Sequence, residues 1–246
     1  MDRMLYVAMT GARQTVLAQS ANSNNLANAN TRAFRADLNG FRSQQLFGDG
    51  HPSRVYAMNE KPGIDFTPGV ITQTGRELDM AVDGDGWIAV QAADGKEAYT
   101  RAGNLQIGPG RQLITETGEP VLGNDGPVAL PPFENFEIGS DGTITIRRLG
   151  EAPNALAIVD RIKLVKPDQK QLERLDDGLF RLENGRPAIA DGSVRLIGGA
   201  LENSNVNPVE AMVNMLGLAR QFEMQVKIMH TAEQNEEQTA QLLRLA

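Results

Sequence analysis

The stretch most suggestive of chemistry is Asp83-Gly84-Asp85-Gly86, whose spaced carboxylates resemble the opening of a calcium-binding EF-hand loop. The pattern fails two positions later: Trp87 stands at the fifth place, and Ile88 replaces the glycine that the sharp turn requires. Asp-Gly also supplies the positive φ angles of tight turns at little steric cost, and a turn is the reading we adopt. The two histidines, His51 and His230, are far apart and neither has a second ligand at metal spacing. Glycine-rich pieces such as GDGW and GPGR lack the lysine and following helix of a phosphate loop, and no GxSxG is present. Carboxylate pairs such as Asp83 with Asp85 or Glu236 with Glu237 read as turn and surface residues, since only 5 % of the chain is aromatic to line a pocket around them. No catalytic, cofactor or metal residue is assigned, and an enzyme is not expected.

The elements around these residues tell more. The chain has 246 residues, 41 % of them apolar, a formal net charge of -7 and no cysteine. That is enough apolar content for a core, and it excludes disulfides and thiolate chemistry. The acidic balance argues against nucleic acid as a partner. The first residues carry no apolar run suited to a cleaved signal peptide, and no stretch approaches membrane-spanning length.

From Met4 to Thr31 the only charge is Arg13, and Leu5, Met9, Ala12 and Val16 recur at helical spacing. The opposite face bears Ala, Thr, Ser, Gln and Asn, so a second covering surface is expected there. Toward the end of this helix Asn22, Asn25 and Asn28 repeat every three residues, joined by Leu26, Asn30 and Phe34. Amides both donate and accept, so the ladder is expected to cap the fraying helix end and to bond backbone groups of neighbouring chains. The back helix opens at Asn207-Pro208-Val209-Glu210, an amide cap followed by proline and a glutamate. Beyond it Met212, Met215, Ala219, Phe222, Val226 and Met229 step by three and four, the spacing of a coiled-coil seam. Running to about residue 243, this helix would span on the order of 55 Å, long for a compact domain of this size.

Between the helices the period changes. Asp-Gly occurs at residues 49, 83, 85, 94, 125, 141, 177 and 191, and Asn-Gly at 184, which marks frequent turns. Strands are expected around Leu78–Val82, Trp87–Gln91, Gln112–Thr115, Thr143–Arg148, Leu156–Val165, Leu179–Leu182 and Val194–Ile197. The expected fold is α+β: long N- and C-terminal helices (1–34 and 203–246) paired like a coiled coil, with an inserted antiparallel all-β domain (66–202). Residues 35–65, rich in Gly and Pro without a sustained period, read as an extended arm.

Three blocks carry a resemblance to a known family. ANSNNLANANTRAF (21–34) resembles the ANNLANxNTxGF signature of the bacterial flagellar rod and hook proteins. LDMAVDGDGWI from Leu78 with AYTRAGNL from Ala98 is similar to that family's central motifs, and LENSNVNPVEAM from Leu201 to its back-helix motif. The opening MDRMLYVAMTGA looks more like the proximal than the distal rod subunits. One departure is Arg32-Ala33, where many relatives have Thr-Gly, which leaves a bend after the helix without its glycine.

The resemblance implies a structural subunit of the drive shaft that crosses the periplasm, exported uncleaved by the flagellar export apparatus. Its partners would be other rod proteins and its own copies. The subunit interface would then include Leu5, Met9, Ala12, Val16, Asn22, Asn25, Leu26, Asn28, Asn30, Phe34, Asn205, Met212, Met215, Ala219, Phe222, Val226 and Met229. A distal rod or hook subunit, and a stand-alone wall-associated β-domain binding protein, remain alternatives at this point.

Overall fold

The computed structural model describes residues 3–45, 55–150 and 156–245; Gly48, Asp49-Gly50, His51 and Pro52 lie outside the described residues. The chain divides into two units: Met1–Ala29, Arg35–Asp65 and Val206–Ala246 form the first, and Asn30–Phe34 with Phe66–Asn205 the second.

The first unit contains helix α1 (Arg3–Ala27), a hairpin of β1 (Asp37–Gln45) and β2 (Val55–Ile64), and helix α2 (Pro208–Leu245). The two helices pack antiparallel: Asn22 Nδ2 donates to the carbonyl of Ala211 (2.7 Å), Gly11 faces Gln225, and Leu5 lines a groove with Val226, Met229 and Ala232. The buried residues of α1 are Ala8, Gly11, Ala12, Gln14, Thr15, Ala18, Ala21, Asn22 and Asn25, most of them small. This differs from the expected stripe, of which Ala12 is buried, Leu5 half-buried, and Met9 and Val16 exposed. The physical reason is close approach: a Cβ at Gly11 would lie only 2.9 Å from Gln225 Nε2, so bulkier residues turn away from the contact. On α2, Ala211, Met215, Leu218, Gln225, Met229 and Ala232 are the less exposed side, while Met212 and Val226 point to solvent.

Within residues 35–65, expected as an extended arm, Asp37–Gln45 and Val55–Ile64 pair as antiparallel strands. The base of this pair is closed by Asp65 N donating to Ala36 O (2.8 Å). The register slips between Leu38 and Gly40, opposite Pro62, whose missing N–H a regular ladder would not tolerate.

The second unit contains β3 (Ile71–Gln73), β4 (Met80–Asp83), β5 (Trp87–Gln91), β6 (Glu97–Thr100), β7 (Gln106–Ile107), β8 (Leu113–Ile114), β9 (Phe133–Ile138) and β10 (Thr143–Arg148). After these come β11 (Ala157–Arg161), β12 (Leu164–Val165), β13 (Leu172–Arg174), β14 (Phe180–Leu182), β15 (Arg195–Gly198) and β16 (Ala200–Glu202). A five-stranded sheet has the order β12-β5-β6-β14-β13, a three-stranded sheet β11-β10-β9, and β15-β4, β16-β3 and β7-β8 pair separately. Every pairing is antiparallel. Met80, Val82, Ile88, Val90, Leu105, Ile144 and Ile146 are part of one continuous core.

The β4 and β5 strands flank the Asp-Gly turn; β4 pairs with β15 and β5 with β6. One expected strand needs correction. Residues 156–165 are two strands in different sheets, because Ile162 N bonds Gly142 O and Lys163 N bonds Leu122 O, which turns the chain between them.

Candidate assembly interface

The cap of α2 follows from its sequence: Asn207 Oδ1 accepts from the backbone N–H of Val209 (3.1 Å) and Glu210 (3.4 Å), with Pro208 as the first helical residue. From that anchored start the helix presents Val209, Met212, Val213, Leu216, Met224 and Val226 to solvent, Val213 being 62 % exposed. On α1, Tyr6, Met9, Val16 and Leu17 do the same, Met9 at 52 %. Small residues inside and large apolar residues outside invert the usual amphipathic arrangement. Exposed apolar side chains grouped in this way make the two outer faces a candidate contact surface. Of the residues singled out in the sequence, Met9, Val16, Met212, Phe222 and Val226 are exposed, and Leu5, Leu26, Met215, Ala219 and Met229 are half-buried. Tyr6, Leu17, Val213 and Leu216 extend the exposed set beyond the expected residues, because they lie beside the three-and-four seam.

The amides have work inside the chain. Asn25 bonds Asp37 twice, its Nδ2 donating to the carbonyl (2.9 Å) and its Oδ1 accepting from the backbone N–H (2.8 Å). With Asn22 bonded to Ala211 O, both side chains are buried and fix α1 against the hairpin and α2. Asn28 Nδ2 donates to Asn24 O (3.0 Å), which ends the helix locally. Asn30 is exposed, and Asn205 Nδ2 donates to Thr67 O (3.1 Å). The recurrence of amides therefore has an intrachain explanation, since each end of a helix leaves backbone groups that need partners.

Within the second unit the sequence blocks meet. Arg101 Nε donates to Glu202 Oε2 at 2.7 Å, with both side chains buried. The rest of the guanidinium donates to the carbonyls of Gly84 (3.0 Å), Gly86 (2.8 Å) and Val82 (3.3 Å), and Glu202 Oε1 accepts from Gly69 N (2.8 Å). AYTRAGNL thus contributes the cation, LENSNV the anion, and the turn of LDMAVDGDGWI the carbonyls. Buried charges are tolerated when paired and hydrogen-bonded in this way. The turn that resembles a calcium loop aims its carbonyls at a guanidinium. Glycines allow the approach: a Cβ on Gly103 would lie 1.7 Å from Met80 O, and one on Gly86 2.4 Å from Val194. The Arg101–Glu202 pair was not read from the sequence, although each of two motif blocks carries one member.

The first block joins them through Ala33, whose N–H donates to Glu202 O (3.0 Å), while Asn205 N donates to Phe34 O (3.2 Å). Ala33 has φ 56°, so the bend persists with alanine in a conformation that favours glycine. Arg32 Nη1 also donates to Asn203 Oδ1.

Titration shifts here are structural. Burial, the largest cause, pushes the Tyr99 phenol up to about 12, with its hydroxyl held between Glu97 Oε1 (3.0 Å) and Ala188 N–H (2.7 Å). Hydrogen bonds from the Thr143 hydroxyl and N–H hold Asp141 below the usual carboxylate range, and Ser193 N–H does the same for Asp191. Among the described residues no cluster of three or more His, Cys, Asp or Glu side chains is placed to hold a metal, and no helix is long and apolar enough to cross a membrane.

The chain thus combines helices with apolar outer faces, α2 capped by Asn207, and a β body whose sequence motifs pack on one another, an arrangement suited to a structural role. Residues 197–242 match the family described as flagellar basal body rod FlgEFG protein C-terminal, and residues 81–146 the flagellar hook protein FlgE/F/G D1 domain. The chain belongs to this flagellar rod and hook family. It is 46 % identical over 252 residues to the flagellar basal-body rod protein FlgF of Salmonella typhimurium, covering 100 % of both chains. The FlgF protein of Escherichia coli is 43 % identical, again over 100 % of both. A basal-body rod protein FlgG, from Buchnera aphidicola subsp. Schizaphis graminum, is 28 % identical over 97 % of this chain and 98 % of its own. The similarity makes this chain a structural flagellar protein and not an enzyme.

Proposed function

We propose that this chain is a subunit of the proximal rod that joins its own copies and other rod proteins through the outer faces of α1 and α2. The observation that carries this is the inverted helix pair, with Ala8, Gly11, Ala12 and Ala18 buried and Met9, Val16, Val213 and Leu216 exposed. Burying each exposed Leu, Met or Val contributes roughly 1.5 to 3 kcal/mol, so several per neighbour make a stiff shaft suited to torque. Head-to-tail use of such faces generates an open helical tube rather than a closed ring. The three-and-four spacing of Ala211, Met215, Leu218, Gln225, Met229 and Ala232 supports a coiled-coil-like pairing of α1 and α2. Asn22 and Asn25 hold the helices and hairpin that carry the surface. Delivery without cleavage by the flagellar export apparatus, and residence in the periplasmic part of the basal body, complete the reading.

The chain contains no cysteine, so single substitutions give unique labels. Basal bodies carrying Val213→Cys or Met9→Cys should yield crosslinks to other rod subunits, and Ala18→Cys should not. Absence of intermolecular crosslinks from every exposed helix position in assembled basal bodies would refute the interface.

A further inference from the structure

The segment Asn30–Phe34 groups with the second unit, although the residues on either side of it, up to Ala29 and from Arg35, group with the first. Five residues beyond a helix end have no regular structure to hold them. Their backbone anchors are the bonds from Ala33 N to Glu202 O and from Asn205 N to Phe34 O, and one of the two residues, Ala33, sits at positive φ. Arg32, which donates to Asn203 Oδ1, adds a side-chain hold, and Arg174 adds another. Its guanidinium carbon lies 4.8 Å from the ring centroid of Phe34 and 5.5 Å from that of Phe180.

Arg174 is well placed for this. It ends β13 directly opposite Phe180 of β14, and directly opposed residues on an antiparallel ladder are close neighbours. Phe180 in turn packs on Trp87 (4.7 Å between centroids) and Phe66 (5.8 Å). A planar guanidinium stacks on ring faces, whereas an ammonium is a compact point charge with no plane to match them.

We propose that Arg174 is the positioning residue of a clasp that ties Asn30–Phe34 to the end of β16 and the residues after it, and that this clasp opens as a local unit while the sheet core stays closed. The two places where the chain leaves the second unit are then fastened side by side before any partner is met. The clasp does not depend on the rod interface proposed above.

Amide hydrogen exchange on the full chain tests it. In Arg174→Ala and Arg174→Lys, exchange at Ala33 and Asn205 should accelerate about five- to tenfold, as the loss of stacked cation contacts implies. Exchange at Ile88 and Val90 of β5 should stay at the wild-type rate. Phe34→Ala should give the same acceleration, and Phe34→Ala with Arg174→Ala no more than either alone. Three results would overturn the proposal: unchanged exchange at Ala33 and Asn205, full protection in Arg174→Lys, or acceleration of β5 in step with Ala33.

Discussion

Arg101 and Glu202, separated by most of the β body in sequence, meet as a buried ion pair at 2.7 Å. The guanidinium also satisfies three carbonyls of the β4–β5 turn, so its loss would strand Glu202 and those carbonyls together. Removing one member of a buried pair typically costs about 3–5 kcal/mol, because the other charge stays behind uncompensated. Arg101→Met and Glu202→Gln should each lower the stability of the second unit by that order in chemical denaturation. Replacing both with apolar residues should cost less than the sum of the two single changes.

Ala33 at φ 56° makes the opposite kind of prediction. Left-handed backbone costs a non-glycine residue about 1–2 kcal/mol, part of which glycine returns through the entropy of the unfolded chain. Ala33→Gly should therefore raise stability by roughly 0.5–1 kcal/mol. Ala33→Val, with a branched Cβ in the same conformation, should lower it, and thermal unfolding of the two variants reads the difference.

Asn25 holds both backbone groups of Asp37. Asn25→Ala removes both side-chain bonds to the part-buried backbone of Asp37, a loss of about 1–3 kcal/mol. Asn25→Asp keeps the acceptor but turns a carboxylate oxygen toward the Asp37 carbonyl, and should cost at least as much as Asn25→Ala. Circular dichroism at 222 nm during denaturation follows the helix pair directly.

Acid and base should act at different places. The lowered carboxyls of Asp94, Asp141 and Asp191 favour the folded state while ionised. Their contribution is present above the ordinary carboxylate pKa of 3.8 and is lost as pH falls through their lower folded values. Tyr99, raised from 10.0 to about 12, keeps its proton longer when folded, so its contribution is intact below pH 10 and is lost as pH rises toward 12. Phenolate absorbance should show a late step near pH 12 that Tyr99→Phe removes.

The sequence revealed elements whose signals are local. Asn207 with Pro208 set the start of α2, and β10 falls on the residues its alternation marks, because a cap and a period-two pattern need no distant partner. Pairing was less legible. The partner of β4 is β15, more than a hundred residues away, and no turn chemistry encodes that choice. The side of α1 that meets α2 was not legible either, because apolar size is the usual mark of burial, whereas close helix approach selects Ala8, Gly11 and Ala18. The apolar side chains left outside are the surface on which the proposed rod contacts rest.

The alanine and glycine seam also fixes how this chain is able to vary. Residues already near the lower limit of size leave drift a single direction, toward wedging the two cylinders apart, while the outer positions have many bulky apolar substitutes of similar fit. A saturation library should therefore be intolerant along Ala8, Gly11, Ala12 and Ala18, and permissive toward exchange among aliphatic residues at Val16 and Val213.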